Sequence, residues 1–347
     1  MKKLLLTLLM TSSCAMVFAK STVDVLATGG TIAGVASSAS STTYKAGSLT
    51  AKQIIDAVTG LDNLANIKYE QIYNKDSGDV TLSDWVKLAV AVQKAADNSN
   101  VDGIVITHGT DTMEETSYFL DLVVKTKKPV VLVGSMRPAT AISSDGPLNL
   151  YNAVAVAASP KADDKPVMVV MNGDILSGRT ATKTNTTSVQ TFKDVNYGPI
   201  GTVTMGNVAI DPTVIANKNT FPVKISSDTV LPNVAILYGY AGVDDNMWNK
   251  VLETPGLKGI VIAGAGDGNI PSYEGDFLKK ARSMGIVVVR STRVGSGNVT
   301  YDYNDLDTQY DLVDANDLNP QKARVLLMLS LMKTNNSKEI QKYFNTY

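Results

Sequence analysis

Val23-Asp24-Val25-Leu26-Ala27-Thr28-Gly29-Gly30-Thr31-Ile32-Ala33-Gly34 carries a β-branched apolar run directly into a glycine-threonine loop. A second stretch repeats the arrangement, with Gly103-Ile104-Val105-Ile106 leading into Thr107-His108-Gly109-Thr110-Asp111-Thr112-Met113-Glu114-Glu115-Thr116. Short apolar runs of this kind fit strands buried on both faces, as in a parallel sheet. Open α/β sheets hold ligands at the carboxyl ends of such strands. Two threonine loops in that position point to a shared pocket and to hydroxyl-nucleophile attack on a small polar substrate.

Working outward, further apolar runs occupy residues 129–133, 166–171, 234–238, 259–263 and 285–289. Helical patterns lie between them. Over residues 83–96 the spacing places Trp85, Leu88, Ala89, Val92 and Ala96 on one face. Residues 113–124 and 148–158 read similarly, and Pro320-Gln321-Lys322-Ala323-Arg324 opens a helix with proline at an early position. Alternating strands and helices predict an α/β fold of two α/β domains. The larger amino-terminal domain, residues 20–211, is expected to be doubly wound with a mainly parallel sheet. Residues 207–229 are polar and aperiodic, so a linker is assigned to 212–230 and a smaller carboxy-terminal α/β domain to 231–347.

Composition narrows the function classes. With 347 residues, 44% hydrophobic and 19% charged, the chain has room for a sizeable core. A formal charge of -1 offers no basic footprint for nucleic acid. Lys2 and Lys3, the apolar residues 4–9 and Val17-Phe18-Ala19 read as an export signal cleaved after Ala19. The expected location is therefore periplasmic, with no membrane attachment after cleavage. The apolar run is short for a membrane anchor, and Thr11-Ser12-Ser13 lacks the leucine that a lipoprotein site at Cys14 would use. Cys14 is the only cysteine and His108 the only histidine. The mature chain thus has no disulfide, no thiolate nucleophile and no multi-histidine zinc site, and neither metal nor cofactor is expected.

The glycine loop at 29–34 lacks the spacing of a dinucleotide fingerprint and the Gly-Lys-Ser/Thr of a phosphate loop. It offers amide donors and the Thr31 hydroxyl, and on its own it reads equally as a plain glycine-rich turn. Threonine needs a neighbour to take or polarise its proton, and Tyr44 and Lys183 are the candidates. Asp111 reads either as a helix N-cap or as a carboxylate for a substrate ammonium. With no G-x-S-x-G elbow, His108 reads as hydrogen-bonded scaffold. Ser77-Gly78-Asp79 and Gly264-Ala265-Gly266-Asp267-Gly268-Asn269 read as turns or as ligand loops.

Taken together, the two threonine motifs resemble those of the bacterial type II (periplasmic) L-asparaginases. The resemblance continues through Gly134-Ser135-Met136-Arg137-Pro138, Ser144-Asp145-Gly146-Pro147-Leu148-Asn149-Leu150-Tyr151-Asn152-Ala153, Lys183-Thr184-Asn185-Thr186-Thr187 and Leu318-Asn319-Pro320-Gln321-Lys322-Ala323-Arg324, essentially the whole mature chain. It implies hydrolysis of L-asparagine to L-aspartate and ammonia without a cofactor, with a minor side activity on L-glutamine. It also implies a homotetramer built as a dimer of dimers, each site completed by a neighbour's carboxy-terminal domain. By resemblance, Thr31 attacks the amide to form an acyl-enzyme, Tyr44 assists it, and Thr110, Asp111 and Lys183 form a second cluster. Ser77 and Asp111 hold the substrate's carboxylate and ammonium, the Ser135 backbone lines the leaving-amide pocket, and Asn269 approaches from the neighbour.

Two positions depart from the family pattern. Gly78 stands where the family has a substrate-contacting Gln or Glu. Asn304, or Tyr303 beside it, stands where the family often has an acid, which leaves Asp302 or Asp305 to substitute or the ammonium less tightly held. A periplasmic amino-acid-binding protein without catalysis is the alternative; it accounts for the export signal and the domains but not for two threonine clusters with Tyr44 and Lys183.

Overall fold

The computed structural model describes residues 20–41, 43–215 and 220–347; the export signal assigned to residues 1–19 lies outside the described residues. The amino-terminal part is built on β1 (Thr22–Gly29), β2 (Asn66–Lys75), α1 (Leu82–Asp97), β3 (Gly103–Thr107), α2 (Met113–Val123), β4 (Val130–Val133), α3 (Gly146–Ala157), β5 (Met168–Met171), β6 (Asp174–Ser177), β7 (Gly201–Thr204) and β8 (Asn207–Ile210). Its eight strands lie in the order β8-β7-β6-β5-β4-β3-β1-β2. The five from β5 to β2 run parallel, and β6, β7 and β8 add an antiparallel edge. Chain direction across the sheet reverses after β2, because β3 returns to the other side of β1. The β1 and β3 loops therefore flank a topological switch point.

Period-two geometry explains why the central strands read as unbroken apolar runs. Leu26, Ile104, Ile106 and Leu132 face one core with Trp85, Leu88 and Phe119 of α1 and α2. Val23, Val25, Val105 and Val131 face the other, with Leu150 and Val154 of α3. Both faces are covered, so both sets of alternate residues are apolar, apart from Asp24 and Thr28 of β1.

The carboxy-terminal part holds β9 (Asn233–Tyr238), β10 (Leu257–Gly264), α4 (Gly275–Ser283), β11 (Val287–Thr292), β12 (Val313–Asp314), α5 (Pro320–Leu331) and α6 (Ser337–Phe344), with its four strands parallel in the order β9-β10-β11-β12. The α/β class, with a larger mostly parallel sheet and a smaller parallel one, is as expected. One sequence expectation is corrected. The aperiodic stretch starting at 207 begins with a strand, since β8 pairs antiparallel with β7 through a tight turn at Met205 (φ 48°) and Gly206 (φ 82°). Positive φ at both turn residues matches the strand twist.

α5 joins the two parts. Val325, Leu326 and Leu329 enter the same core as Phe119 and Leu120 of α2.

Candidate active site

Thr31 opens a short 3-10 turn (Thr31–Ala33) at the end of β1. Gly29 (φ 105°) and Gly30 (φ 78°) precede it in backbone conformations that side chains disfavour. Space demands glycine as well: a Cβ on Gly30 would lie 2.3 Å from the Gly109 nitrogen, and one on Gly109 would lie 2.6 Å from Ser77 Oγ. Missing side chains thus let three loops touch. The Gly30 amide donates to the Lys75 carbonyl at 2.8 Å, which ties the Thr31 turn to the end of β2. Lys75 in turn pairs with Asp84 at 2.7 Å, the carboxylate that closes the capping box of α1.

The first cluster is Thr31 and Tyr44, whose hydroxyls are 2.8 Å apart. Val35 and Ala36 pair with Lys45 and Tyr44, and this two-residue ladder folds the tyrosine back over Gly34. The loop is braced from outside, with the Ala36 amide donating to Thr140 Oγ1 at 2.9 Å and the Ala139 amide to the Gly34 carbonyl at 3.0 Å. Thr31 is buried while the Tyr44 ring is partly open to solvent.

The second cluster is Thr110, Asp111 and Lys183. Lys183 Nζ donates to Thr110 Oγ1 at 2.9 Å and to Asp111 Oδ1 at 2.6 Å. Asp111 is not the N-cap of α2; Thr112 occupies that position and makes no side-chain cap bond. The carboxylate is therefore free for the lysine, and its side chain remains 64% exposed on the outer face. Ser77 is buried beside it, and its hydroxyl accepts the Asp111 amide at 3.2 Å. That leaves the Ser77 proton to donate outward. Gly78 is exposed, and a Cβ there would meet only Asp76 Oδ1, at 3.7 Å.

Ser135 is buried next to Gly146 and Ile32, and its hydroxyl donates to the Arg137 carbonyl at 2.7 Å. Asp145 holds this loop by accepting the Met136 and Arg137 amides at 2.9 Å each. Thr31, Tyr44, Ser77, Thr110, Asp111, Ser135 and Lys183 therefore gather at the carboxyl ends of β1, β3 and β4. Asn269 and Asn304 belong to the carboxy-terminal part, and among the described residues neither hydrogen-bonds the threonine clusters. Asn269 closes a loop by exchanging backbone bonds with Ala265 at 2.7 and 3.1 Å. Asn304 lies on an exposed turn with Asp302 and Asp305, all three at φ 53–59°. The Asp302 carboxylate caps Thr308 through its hydroxyl (2.6 Å) and amide (2.8 Å), bonds that hold its carboxyl below the usual range. Asp302 is thus committed locally, and Asp305 is the exposed acid of the pair.

His108 is fully buried scaffold. Its Nδ1 lies 2.7 Å from the Gly109 carbonyl, so that nitrogen carries the proton and Nε2 accepts from Thr116 at 3.1 Å. Thr116 itself accepts the Trp85 indole N–H at 2.9 Å. The Trp85–Thr116–His108–Gly109 relay is satisfied with the imidazole neutral, and burial pushes its pKa down to about 4. Below pH 6.5 the unfolded chain binds a proton that the folded chain refuses until about pH 4. The stability held above pH 6.5 is therefore lost as the pH falls through that window, by about 3 kcal/mol relative to a His108→Gln chain. Burial acts oppositely on Glu115, pushed up to about 7, and on Asp121 and Asp314, both pushed up to about 6. Unfolding both chains in parallel across the window cancels those acids. A flat difference would rule out the neutral scaffold.

Two structural residues went unread in the sequence. Arg290 is buried, paired with Asp307 at 2.7 and 2.5 Å, and it donates to the Asp267 carbonyl at 3.0 Å and the Thr300 carbonyl at 2.7 Å. It thereby ties the Asn269 loop to the Asn304 turn. A cation inside Val287-Val288-Val289-Arg290 is the signal, since a buried strand position with a charge demands partners. Lys322 is also buried, and its spacing to Val325, Leu326 and Leu329 marks a lysine on an apolar helix face.

Residues 22–215 match the family model for the asparaginase N-terminal domain, and residues 233–344 match the glutaminase/asparaginase C-terminal domain. The chain belongs to the asparaginase family. It is 47% identical over 327 residues to L-asparaginase 2 of Escherichia coli strain K12, covering 94% of this chain and 93% of that one. Identity to a probable periplasmic L-asparaginase of Haemophilus influenzae is 48%, with the same coverage. A glutaminase-asparaginase of Pseudomonas fluorescens biotype A is 45% identical, covering 94% and 90%. The crystal structure of a probable cytoplasmic L-asparaginase from Campylobacter jejuni aligns with a TM-score of 0.90 at 46% identity, covering 94% of this chain and all of that one. This asparaginase-family chain is accordingly an amide-hydrolysing enzyme, and the non-catalytic binding protein loses its ground. Among the described residues no helix is long and apolar enough to cross a membrane.

Proposed function

We propose that the chain hydrolyses L-asparagine to L-aspartate and ammonia through an acyl-enzyme on Thr31, with a minor activity on L-glutamine. The observation that carries the reading is the pairing of two hydroxyl clusters, Thr31–Tyr44 at 2.8 Å and Thr110–Lys183 at 2.9 Å, across the Gly30–Gly109 contact. In acylation the Thr31 oxygen bonds to the side-chain carbonyl carbon, the C–N bond breaks, and ammonia leaves with the threonine's proton. Tyr44 handles that proton. Water then attacks the ester, releasing aspartate and restoring the hydroxyl, while the Lys183 ammonium beside Thr110 lowers the cost of deprotonating it. The outer face of Asp111 takes the substrate ammonium, Ser77 donates to its carboxylate, and the Ser135 backbone lines the leaving-amide pocket.

The same reading supplies Asn269 and the Asn304 turn from a neighbouring copy in a homotetramer, and it has the ammonium held less tightly for want of an acid at Asn304. It places the domain boundary in residues 212–230 and the mature enzyme in the periplasm after cleavage at Ala19. Support for export comes from the basic-then-apolar start of the sequence and the name of the Haemophilus influenzae relative.

The deciding experiment is ammonia and aspartate release from asparagine, with glutamine alongside. Binding of asparagine with no release would overturn asparagine as the substrate. Specificity offers a second test. One methylene separates the two amides, a difference worth only ~1–3 kcal/mol in a pocket, and Gly78 offers no side chain to the longer one. Asparagine is therefore expected to be the better substrate. Because the Gly78 position has open space, Gly78→Gln is expected to raise the glutamine-to-asparagine ratio of kcat/KM by roughly tenfold. An unchanged ratio would show that this position does not sense substrate length.

A further inference from the structure

The Leu318-Asn319-Pro320-Gln321-Lys322-Ala323-Arg324 segment has no part in the proposed chemistry, yet the start of α5 reaches both halves of the second cluster. Gln321 Nε2 donates to Glu114 Oε1 at 2.9 Å, three residues beyond Asp111. Lys322 Nζ donates to the Ala181 carbonyl at 2.6 Å, two residues before Lys183. Just ahead of the helix, Asp317 grips Arg179 with two bonds of 2.7 and 2.8 Å, four residues before Lys183. The far side of this segment is held by the strand pairing of Thr182 and Lys183 with Lys193 and Phe192, continued by the Thr184 amide on the Thr191 carbonyl at 2.8 Å, and Arg179 also donates to the Tyr347 carbonyl at 2.6 Å.

Burial of Lys322 is hard to explain as stabilisation. An ammonium removed from water costs free energy that a carbonyl acceptor offsets only in part, and burial pushes this one down to about 8, with Glu114 acting against the shift. What the ammonium does achieve is to fix one backbone carbonyl. We propose that Lys322 and the Arg179–Asp317 pair are positioning residues for Lys183: they clamp residues 179–183 to the start of α5 and so set the reach of the Lys183 ammonium onto Thr110 and Asp111. The proposal rests on the catalytic role given above to Lys183. Displacement of a reacting group by about 1 Å is enough to cost up to ~100-fold in rate.

The test compares Lys322→Met, Lys322→Arg and Asp317→Asn with the wild type and Lys183→Met, using kcat and KM for asparagine per folded molecule and amide hydrogen exchange over residues 179–184. Lys322→Met and Asp317→Asn are expected to lose about 10- to 100-fold in kcat with KM within about twofold, and to exchange faster over that segment. Lys322→Arg keeps a donor within reach of the Ala181 carbonyl and is expected to recover most of kcat. If Lys322→Met does not fold, Asp317→Asn and the exchange data decide. Full kcat with unchanged exchange in the positioning variants, beside an inactive Lys183→Met, overturns the clamp and leaves the catalytic reading standing. An active Lys183→Met overturns both.

Discussion

Thr31→Ala is expected to lower kcat for asparagine by roughly a thousandfold or more while the protein still binds asparagine. An amide carbonyl is a poor electrophile, and deleting the attacking oxygen leaves only the weaker contributions of binding and oxyanion stabilisation. The change should leave the fold intact: Thr31 presents one hydroxyl to Tyr44, and its turn is held by backbone bonds, Gly34 N–H to the Thr31 carbonyl at 2.8 Å among them. Steady-state rates and calorimetric asparagine binding on the same preparation measure both halves. Residual turnover above a tenth of wild type would move the nucleophile elsewhere, with Thr110 the next hydroxyl to test.

Lys183→Met is expected to cost about 100- to 10,000-fold in kcat, with little change in Tm. The lysine side chain is 18% exposed and its partner Asp111 64%, so methionine fills the largely covered lysine site and leaves a carboxylate that water can solvate, not a buried unpaired charge. In the proposed mechanism its value lies in the ammonium held 2.9 Å from Thr110 Oγ1, where it would ease loss of a proton from the hydroxyl or a neighbouring water. Thr110→Val removes the group that the ammonium acts on. The two substitutions combined should therefore cost little more than the worse one alone, because residues acting as a unit are not additive. A double variant whose loss is the product of the singles would separate Lys183 from Thr110.

Local burial patterns made much of the fold legible. β1, β3 and β4 were readable because each strand's two faces meet separate cores, which keeps the runs apolar apart from the half-buried Asp24 near the start of β1. Their loops were readable because glycine and threonine directly follow. β2 was not: Asn66–Lys75 is an edge strand, largely exposed, and its alternation of Ile67 and Tyr69 with Lys68 and Glu70 breaks at Gln71. β8, at the opposite edge, was hidden because its alternation of Val208 and Ile210 spans only four residues. The bland reading of Asp111 as a cap could be set aside only once Thr112 was seen to take that place.

The sequence by itself determined the α/β class, the central strands, the two threonine loops and the family resemblance. All of these follow from neighbours along the chain, where periodicity and turn chemistry act over a few residues. Only the tertiary structure decided which groups meet. Lys183 reaches Thr110 across 73 positions, Ser77 accepts the Asp111 amide across 34, and Lys322 holds Ala181 across 141. Strand order, the closeness that Gly30 and Gly109 permit, and the docking of α5 between α2 and the carboxy-terminal sheet set those meetings. Each depends on the packing of the whole chain, to which no local run of residues is sensitive.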